Sequence, residues 1–438
     1  TFHLRQGVKW HDGTPFTAED VVFTFEAVQL EENAIDWRPN LIQGDQPMQF
    51  EAVDDYTVKV TLSQPDAAVL TALGIPIVPK HAFESAQMVD APFNTNPIAT
   101  GPFKFVEWNT GESIVLEANK DYWRGAPCID RLVVRFIEGP TNAANALLAG
   151  ELDFARVDGA DVTPFQDNPD FVLQTASRDL MRYAGFNVRS ANFSDPAVRR
   201  ALMVGLDRQA IIDVAAGGYG TIPDSVFNKA VFRYEVGRNP QYPYDPEQAK
   251  QMLADAGWAD TDGDGILDKD GQPMTMRLVY MAGWSRMEAI APVVYDNWRA
   301  LGVDVTLEPL DEAKIYEEVY DNVSEDKPYD AMLGGWGLYG PEPDHYRNYL
   351  ANPTSFFAFN NQQIIDMFAQ GRTVTDEQAR YDLYAEIDRL LWDDLPMIPI
   401  YQAVGAWAYR SDLNIDAAEL NGSFLTGLKY PGRAYFVK

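Results

Sequence analysis

The sequence predicts an α/β protein whose leading part is richer in strands, and three observations carry that prediction. The chain has 438 residues, 46% hydrophobic and 12% aromatic, enough for a large core and two or three domains. From residue 131 onward, apolar stretches of strand length alternate with capped helical stretches. Before that point most apolar stretches alternate with period two, and only one strong helix interrupts them.

That helix is set in "GTPFTAEDVVFTFEAV". Thr17 is placed to cap it with Asp20 at the N3 position, and Phe16 and Val21 occupy the staple positions. Val21, Val22, Phe25 and Val28 then share one face. Strands are expected at 56–63, 101–107 and 112–118. Next come a strand at 131–136, a short helix opened by Thr141 and stopped at Gly150, and a strand at 152–157. "RYAGFNV" (182–188) precedes a helix marked by Asp195 as cap and Pro196 at its first position. Asp245 and Pro246 repeat that signal, and Gly257 ends the helix. Further on, 274–281, 303–310 and 329–336 read as strands. Ser285 and Glu288 read as a capping box ahead of a helix stopped by Gly302. Thr375 and Gln378 are expected to open the last long helix, and 397–411 returns to strand. The division implied is 1–136, then 137–243 with 408–438, then 244–407.

Charge and composition exclude several functions. A formal net charge of −30 repels nucleic acid and anionic lipid, so neither is expected as a partner. The single cysteine, Cys128, allows no internal disulfide, and His3, His11, His81 and His345 lack the spacing of a zinc site. The longest apolar run, "AAVLTALGIPIVP", is too short to cross a membrane and is broken by Gly74 and Pro76. No G-x-S-x-G elbow, Walker loop, H-E-x-x-H or C-x-x-C occurs, so no enzyme is predicted.

Two features point to ligands. "DTDGDGILDKDG" places Asp260, Asp262 and Asp264 at alternate positions before Gly265, as an EF-hand loop does, with Asp268 as a fourth acid. An EF-hand needs a helix on both sides and a bidentate Glu at position 12. Here a strand follows, and position 12 is Gly271. A structural Ca2+ at a helix-to-strand corner and a solvated acidic turn are the two readings; no cofactor is required by either. Aromatic residues also cluster near strand ends, and "GGWGLYGPEPDHY" joins Trp336 and Tyr339 to glycines that leave the backbone accessible.

Several stretches together resemble the extracytoplasmic solute-binding proteins of ABC importers that carry dipeptides, oligopeptides and nickel. They include "FHLRQGVKWHDGTPFTAEDVVFTFE", "TGPFKFVEWNTGESIVLEANKDYWRGAPCIDRLVVRFI", "FNVRSANFSDPAVRRALMVGLDRQAII" and "AKQMLADAGWADTDGDGILDKDGQPM". The resemblance implies a two-lobed clamp like the type II periplasmic binding proteins, with an extra β-rich subdomain. It also implies a leading portion before Thr1 whose strands would pair with the main lobe, so that the chain alone would have exposed edges and poor solubility. The implied function is capture of a small solute, most often a peptide, between two lobes, with delivery to ABC permease subunits by an extracytoplasmic monomer. By the same resemblance, Thr100, Gly101, Tyr183, Phe186, Asn187, Trp284, Arg286, Trp336, Gly337, Tyr339 and Tyr401 are the expected ligand contacts. Arg199 and Arg200 are expected to hold structure through salt bridges. Peptide-binding members carry an aspartate in a G-W-x-x-D-Y-x-D-P-D pattern to hold the α-ammonium group. This chain reads "GWGLYGPEPD", with Tyr339 at that place and Asp344 at the later acid. An ammonium without its buried carboxylate is costly, so a neutral solute, an oligosaccharide, an opine or a metal chelate is the alternative.

Overall fold

The computed structural model describes residues 1–35, 37–43, 46–83, 87–89, 91–157, 159–227, 239–320, 327–337, 343–415 and 435–436. The chain forms two compact units. Unit 1 comprises Thr1–Val157, Asp161–Ala176 and Ala406–Lys438; unit 2 comprises 158–160 and Ser177–Gly405. The sequence reading set 177–243 apart from 244–407; here both stretches share one core. Helices beginning at Pro196 and Pro246 pack on each other, and a strand from the 177–186 stretch pairs within the sheet of the later part.

In unit 1, α1 spans Ala18–Gln29. It packs on a hairpin of β1 (Gln49–Asp54) and β2 (Thr57–Thr61), and Phe2 and His3 pair with β2 on its other side. Asp20 fixes the start of α1 from within. Its carboxylate accepts from the Thr17 amide (2.9 Å), the Trp10 indole (3.2 Å) and the Lys80 amide (2.9 Å), and the side chain is buried. One anion therefore caps its own helix at Thr17 and ties it to the Trp10 side chain and to the backbone at Lys80. A second antiparallel sheet holds β3 (Phe103–Asn109), β4 (Ser113–Ala118) and β5 (Arg131–Arg135) in that order. α2 (Pro140–Leu148) leads to β6 (Phe154–Val157), which pairs antiparallel with residues 406–409. An apolar cavity of about 520 Å³ lies against β5 and β6, with Leu132, Val134, Phe154 and Leu413 in its lining.

The strand β7 (Phe171–Phe186) runs through the unit boundary at 176/177. In unit 2 it pairs antiparallel with a strand that lies parallel to its other neighbour. In chain order these are α3 (Pro196–Val204), α4 (Arg208–Ala216), α5 (Pro246–Asp255), β8 (Thr275–Met281), α6 (Ser285–Ala300), β9 (Asp304–Leu310) and β10 (Ala331–Gly337). β10 pairs antiparallel with β7 and parallel with β8, and β8 pairs parallel with β9. The parallel strands β8 and β9 are joined through α6, the crossover that such pairs require. α7 (Gln362–Thr373) and α8 (Glu377–Asp394) pack on each other ahead of β11 (Met397–Arg410), which runs through the second boundary at 405/406.

Two caps differ from the sequence reading. α6 begins at Ser285, so Trp284 and not Ser285 is the cap residue, and Glu288 reaches back to the Gly283 amide (3.0 Å). α8 is capped by Asp376, which accepts from the Ala379 amide (2.8 Å), in place of Thr375. Both shifts are one residue and leave the helices in place. Arg199 is structural as expected, but through carbonyls in place of a salt bridge: its guanidinium donates to Phe193, Asp394 and Leu395. Arg200 likewise donates to the Asp393 carbonyl (2.7 Å).

Candidate functional site

In unit 1 the candidate contacts Thr100 and Gly101 sit on a loop clamped by one histidine. The His11 amide donates to the Ala99 carbonyl (2.9 Å), and the ring engages the same loop at both nitrogens. Nδ1 lies 3.2 Å from the Ala99 amide and Nε2 lies 3.0 Å from the Gly101 carbonyl. The Asn119 amide donates to that carbonyl as well (3.0 Å), and Lys104 donates to the carbonyl of His11 (3.1 Å). Burial is the largest influence on His11 and lowers its pKa; the Gly101 carbonyl works against it, Lys104 lowers it further and Asp12 raises it, with a net fall. Asp12 faces His81 Nε2 at 2.7 Å.

Unit 2 carries the remaining ligand candidates, and it sends the aromatic ones to different fates. Tyr183 is buried, stacked on Phe356 (6.3 Å) and edge-on to Phe357 (5.7 Å). Its ring passes over Gly334, where an added Cβ would lie 2.6 Å from the hydroxyl. Desolvation pushes that hydroxyl well above the ordinary tyrosine range. Phe186 is fully buried between Phe193 and Trp298. Tyr401 is fully buried too, with its ring against Gly220. All three belong to the main core of unit 2, where the sequence reading had them facing a ligand. Asn187 spends its side chain on backbone. It donates to the carbonyls of Lys327 (3.3 Å) and Tyr329 (3.1 Å) and accepts from the Arg189 amide (3.1 Å), at the edge of a polar recess of about 420 Å³.

Trp284 is the one candidate aromatic with a large exposed surface among those whose side chains are described, at 42%. Arg286 follows it on α6 and lies half-buried, its guanidinium 3.5 Å from the Ala215 carbonyl. Trp336 and Gly337 end β10, in register with Met181 and Leu180 of β7. Tyr339 lies outside the described residues. Asp344, the later acid of the loop, is buried and paired with Arg347 and Arg372.

In the acidic loop, carboxylate oxygens of Asp260, Asp262 and Asp268 lie within 4.8 Å of one another. Asp264 is not in that group; its carboxylate accepts from the Ile266 amide (2.7 Å). Asp260 also accepts from the amides of Gly263 (2.7 Å) and Gly265 (3.1 Å), both at positive φ. The donor set is hard oxygen throughout, which suits calcium better than a transition metal.

The family described as bacterial extracellular solute-binding proteins, family 5 (middle region), matches residues 1–358. The oligopeptide-binding protein AppA of Bacillus subtilis is 30% identical over 415 residues, 91% of this chain and 74% of that protein. The chain belongs to family 5 of the solute-binding proteins. Heme-binding protein A of Haemophilus influenzae is also 30% identical, over 92% of this chain and 76% of its own length. Among solved structures, the ABC transporter substrate-binding protein CtaP of Listeria monocytogenes superposes with a TM-score of 0.86 at 28% identity, covering 100% of this chain and 87% of its own. AppA of Bacillus subtilis in complex with a nonapeptide gives 0.78 at 27%, over 100% and 86%. NikZ of Campylobacter jejuni in complex with Ni(L-His) gives 0.75 at 26%, over 94% and 82%. The fold is therefore that of the type II periplasmic binding proteins, and this family 5 member serves ABC transport by binding a solute. Among the described residues no helix is long and apolar enough to cross a membrane.

Sequence reasoning missed two residues in this family 5 chain. His11 was read only as an isolated histidine, because its ring partners lie 88 and 90 residues away. Arg182 is buried on β7 with its guanidinium against Gly335 of β10. A charge inside the apolar stretch "LMRYAGFNV" was the available signal for it.

Proposed function

We propose that this family 5 receptor takes a peptide as its solute, hands it to the permease subunits of an ABC importer outside the cytoplasm, and works as a monomer that leaves the solute's bonds intact. The observation that carries the peptide reading is similarity to one relative, the oligopeptide-binding AppA of Bacillus subtilis, 30% identical over 91% of this chain and solved in complex with a nonapeptide. Thr100, Gly101, Trp284, Arg286, Trp336, Gly337 and Tyr339 remain the proposed contacts. Tyr183, Phe186 and Tyr401 support them from the core.

A second reading has its own observation: Tyr339 stands where peptide-binding members carry the ammonium-holding aspartate. A metal chelate or other non-peptide solute would not need that carboxylate. Native mass spectrometry of the purified protein, followed by calorimetric titration with short peptides and with nickel–histidine, separates the two. One-to-one binding of a peptide that is recovered uncleaved supports the first reading. Binding of the chelate alone supports the second, and product formation at catalytic rates overturns both.

We propose also that the 260–271 loop holds one structural calcium through Asp260, Asp262 and Asp268. Three carboxylates this close, two exposed and Asp268 half-buried, repel one another, and a cation relieves that repulsion. Excess calcium should raise the melting temperature above that in chelator; equal melting temperatures would leave a solvated turn held by the Asp-to-amide bonds.

A further inference from the structure

We propose that His11 is a pH-gated latch: its neutral ring ties the Ala99 amide to the Gly101 carbonyl, and protonation at Nδ1 releases the Ala99 amide and loosens that loop. The significance for solute capture rests on the assignment of Thr100 and Gly101 as contacts; the latch itself does not.

The argument is one of hydrogen-bond roles. The Ala99 amide can only donate, so Nδ1 must accept. The Gly101 carbonyl can only accept, so Nε2 must carry the proton. Both partners are backbone groups with fixed roles, and together they leave one tautomer, the neutral Nε2–H form. An added proton at Nδ1 sets N–H against N–H and removes the tie to the Ala99 amide. The tie to Gly101 survives, and Asn119 supports that carbonyl independently. Protonation therefore releases the Ala99 amide, while the bond from the His11 amide to the Ala99 carbonyl (2.9 Å) and the ties at Gly101 remain, a local loosening rather than a loss of fold.

The charges that face the ring are Lys104, from the strand β3, and Asp12, beside it in sequence. Asp12 is shared with His81, at 2.7 Å. Partial burial pushes the Asp12 carboxyl up, but the Thr14 amide and then His81 outweigh it, so Asp12 stays ionised through the neutral range. A proton on His11 breaks the bond to the Ala99 amide and meets Lys104. The sign follows. An unfolded histidine titrates at about 6.5, and the folded His11 lies lower, so the unfolded chain binds more protons between those values. The stabilisation is complete above about pH 6.5 and is lost as the pH falls through the folded pKa.

Selective 15N-histidine labelling resolves the ring states, since the chain has four histidines. Hydrogen exchange of the 97–103 segment, corrected for intrinsic rates, reads the loop. The expected result is a His11 ring in the Nε2–H tautomer that titrates below 6.5. Protection of the Ala99 amide should fall by up to about tenfold per pH unit below that point. His11→Gln retains a donor for Gly101 without a titrating acceptor, so exchange there should lose its pH dependence, while His81→Gln should keep it. A His11 ring that titrates at or above 6.5, equal protection at pH 7 and pH 5, or a pH response that survives His11→Gln would each overturn the latch. No solute is present in these measurements, so their failure would leave the peptide reading standing.

Discussion

Units 1 and 2 solve the same problem with different means. Unit 2 has one continuous core that takes in Trp298, Trp392, Phe186, Tyr183 and Tyr401, all with almost no exposure. Unit 1 has small separate clusters: one around α1 with Phe25, Val28, Leu41 and Val58, another with Tyr409, Leu413 and Ile415. Where apolar bulk is scarce, unit 1 relies on polar side chains that tie distant backbone together, Asp20 and His11 among them. Where it is plentiful, polar groups in unit 2 are enclosed by the core and complete it, as Arg199 does. The lesson is that a buried charge cross-links distant chain in both units, and in the second it also fills the core as a plug, as Arg199 does between Phe193 and Asp394–Leu395.

The largest expected effect tests the plug. Burial brings the Arg199 guanidinium down to about 10, yet it stays charged at neutral pH because three carbonyls surround it. Arg199→Ala would leave those carbonyls without their donor and open a cavity, at a cost of about 4 kcal/mol. Denaturant unfolding followed by tryptophan fluorescence should show the loss in the transition of unit 2. A cost below about 1 kcal/mol would mean that water replaces the guanidinium, and the core there is not closed.

The cross-link comes next. Asp20→Ala strips acceptors from Thr17, Trp10 and Lys80 at once, with an expected cost of about 3 kcal/mol confined to unit 1. Hydrogen exchange should show 10–30 and 78–82 opening together while unit 2 keeps its protection. If only the first turn of α1 frays, Asp20 is merely a cap and the contrast between the units weakens.

A third effect probes how tightly the large core is filled. Gly334→Ala would set a methyl against the Tyr183 hydroxyl and Met332, both under 3 Å away, at a cost of about 2 kcal/mol. Urea titration of the variant against the native chain measures it. A neutral result would show that Tyr183 can move aside, as a cleft residue could and a core residue could not.

How much of this was legible depends on the range of the interaction. Asp195–Pro196 and Asp245–Pro246 open α3 and α5 as read, because a cap and its amide are two or three residues apart. The strand β1 was missed: "QFEAVD" is mostly exposed and gives no apolar run. The first half of β7 was missed because "QTASRD" carries no apolar alternation and reads as loop. Aromatics beside strand ends look alike whether they line a cleft or fill a core, because both settings are apolar. Only the partner strands decide, and Tyr183 meets Phe356 from more than 170 residues away.

The smallest effects concern the caps, and they separate a local role from a cross-linking one. Asp376 accepts from the Ala379 amide and does nothing else that links distant chain, so Asp376→Ala should cost about 1 kcal/mol. Ser285 was read as a cap from its spacing to Glu288, but it lies inside the helix and Trp284 holds the cap position. Serine and alanine differ by only a few tenths of a kcal/mol there, in favour of alanine. Ser285→Ala should therefore leave the urea midpoint unchanged or slightly raised. A loss as large as that of Asp376→Ala would put the cap back on Ser285. Because Asp376 and Asp20 are both helix-opening aspartates, the difference between their alanine variants isolates what Asp20 adds as a tie between distant segments. If the two costs prove equal, the cross-link in unit 1 contributes nothing beyond the cap.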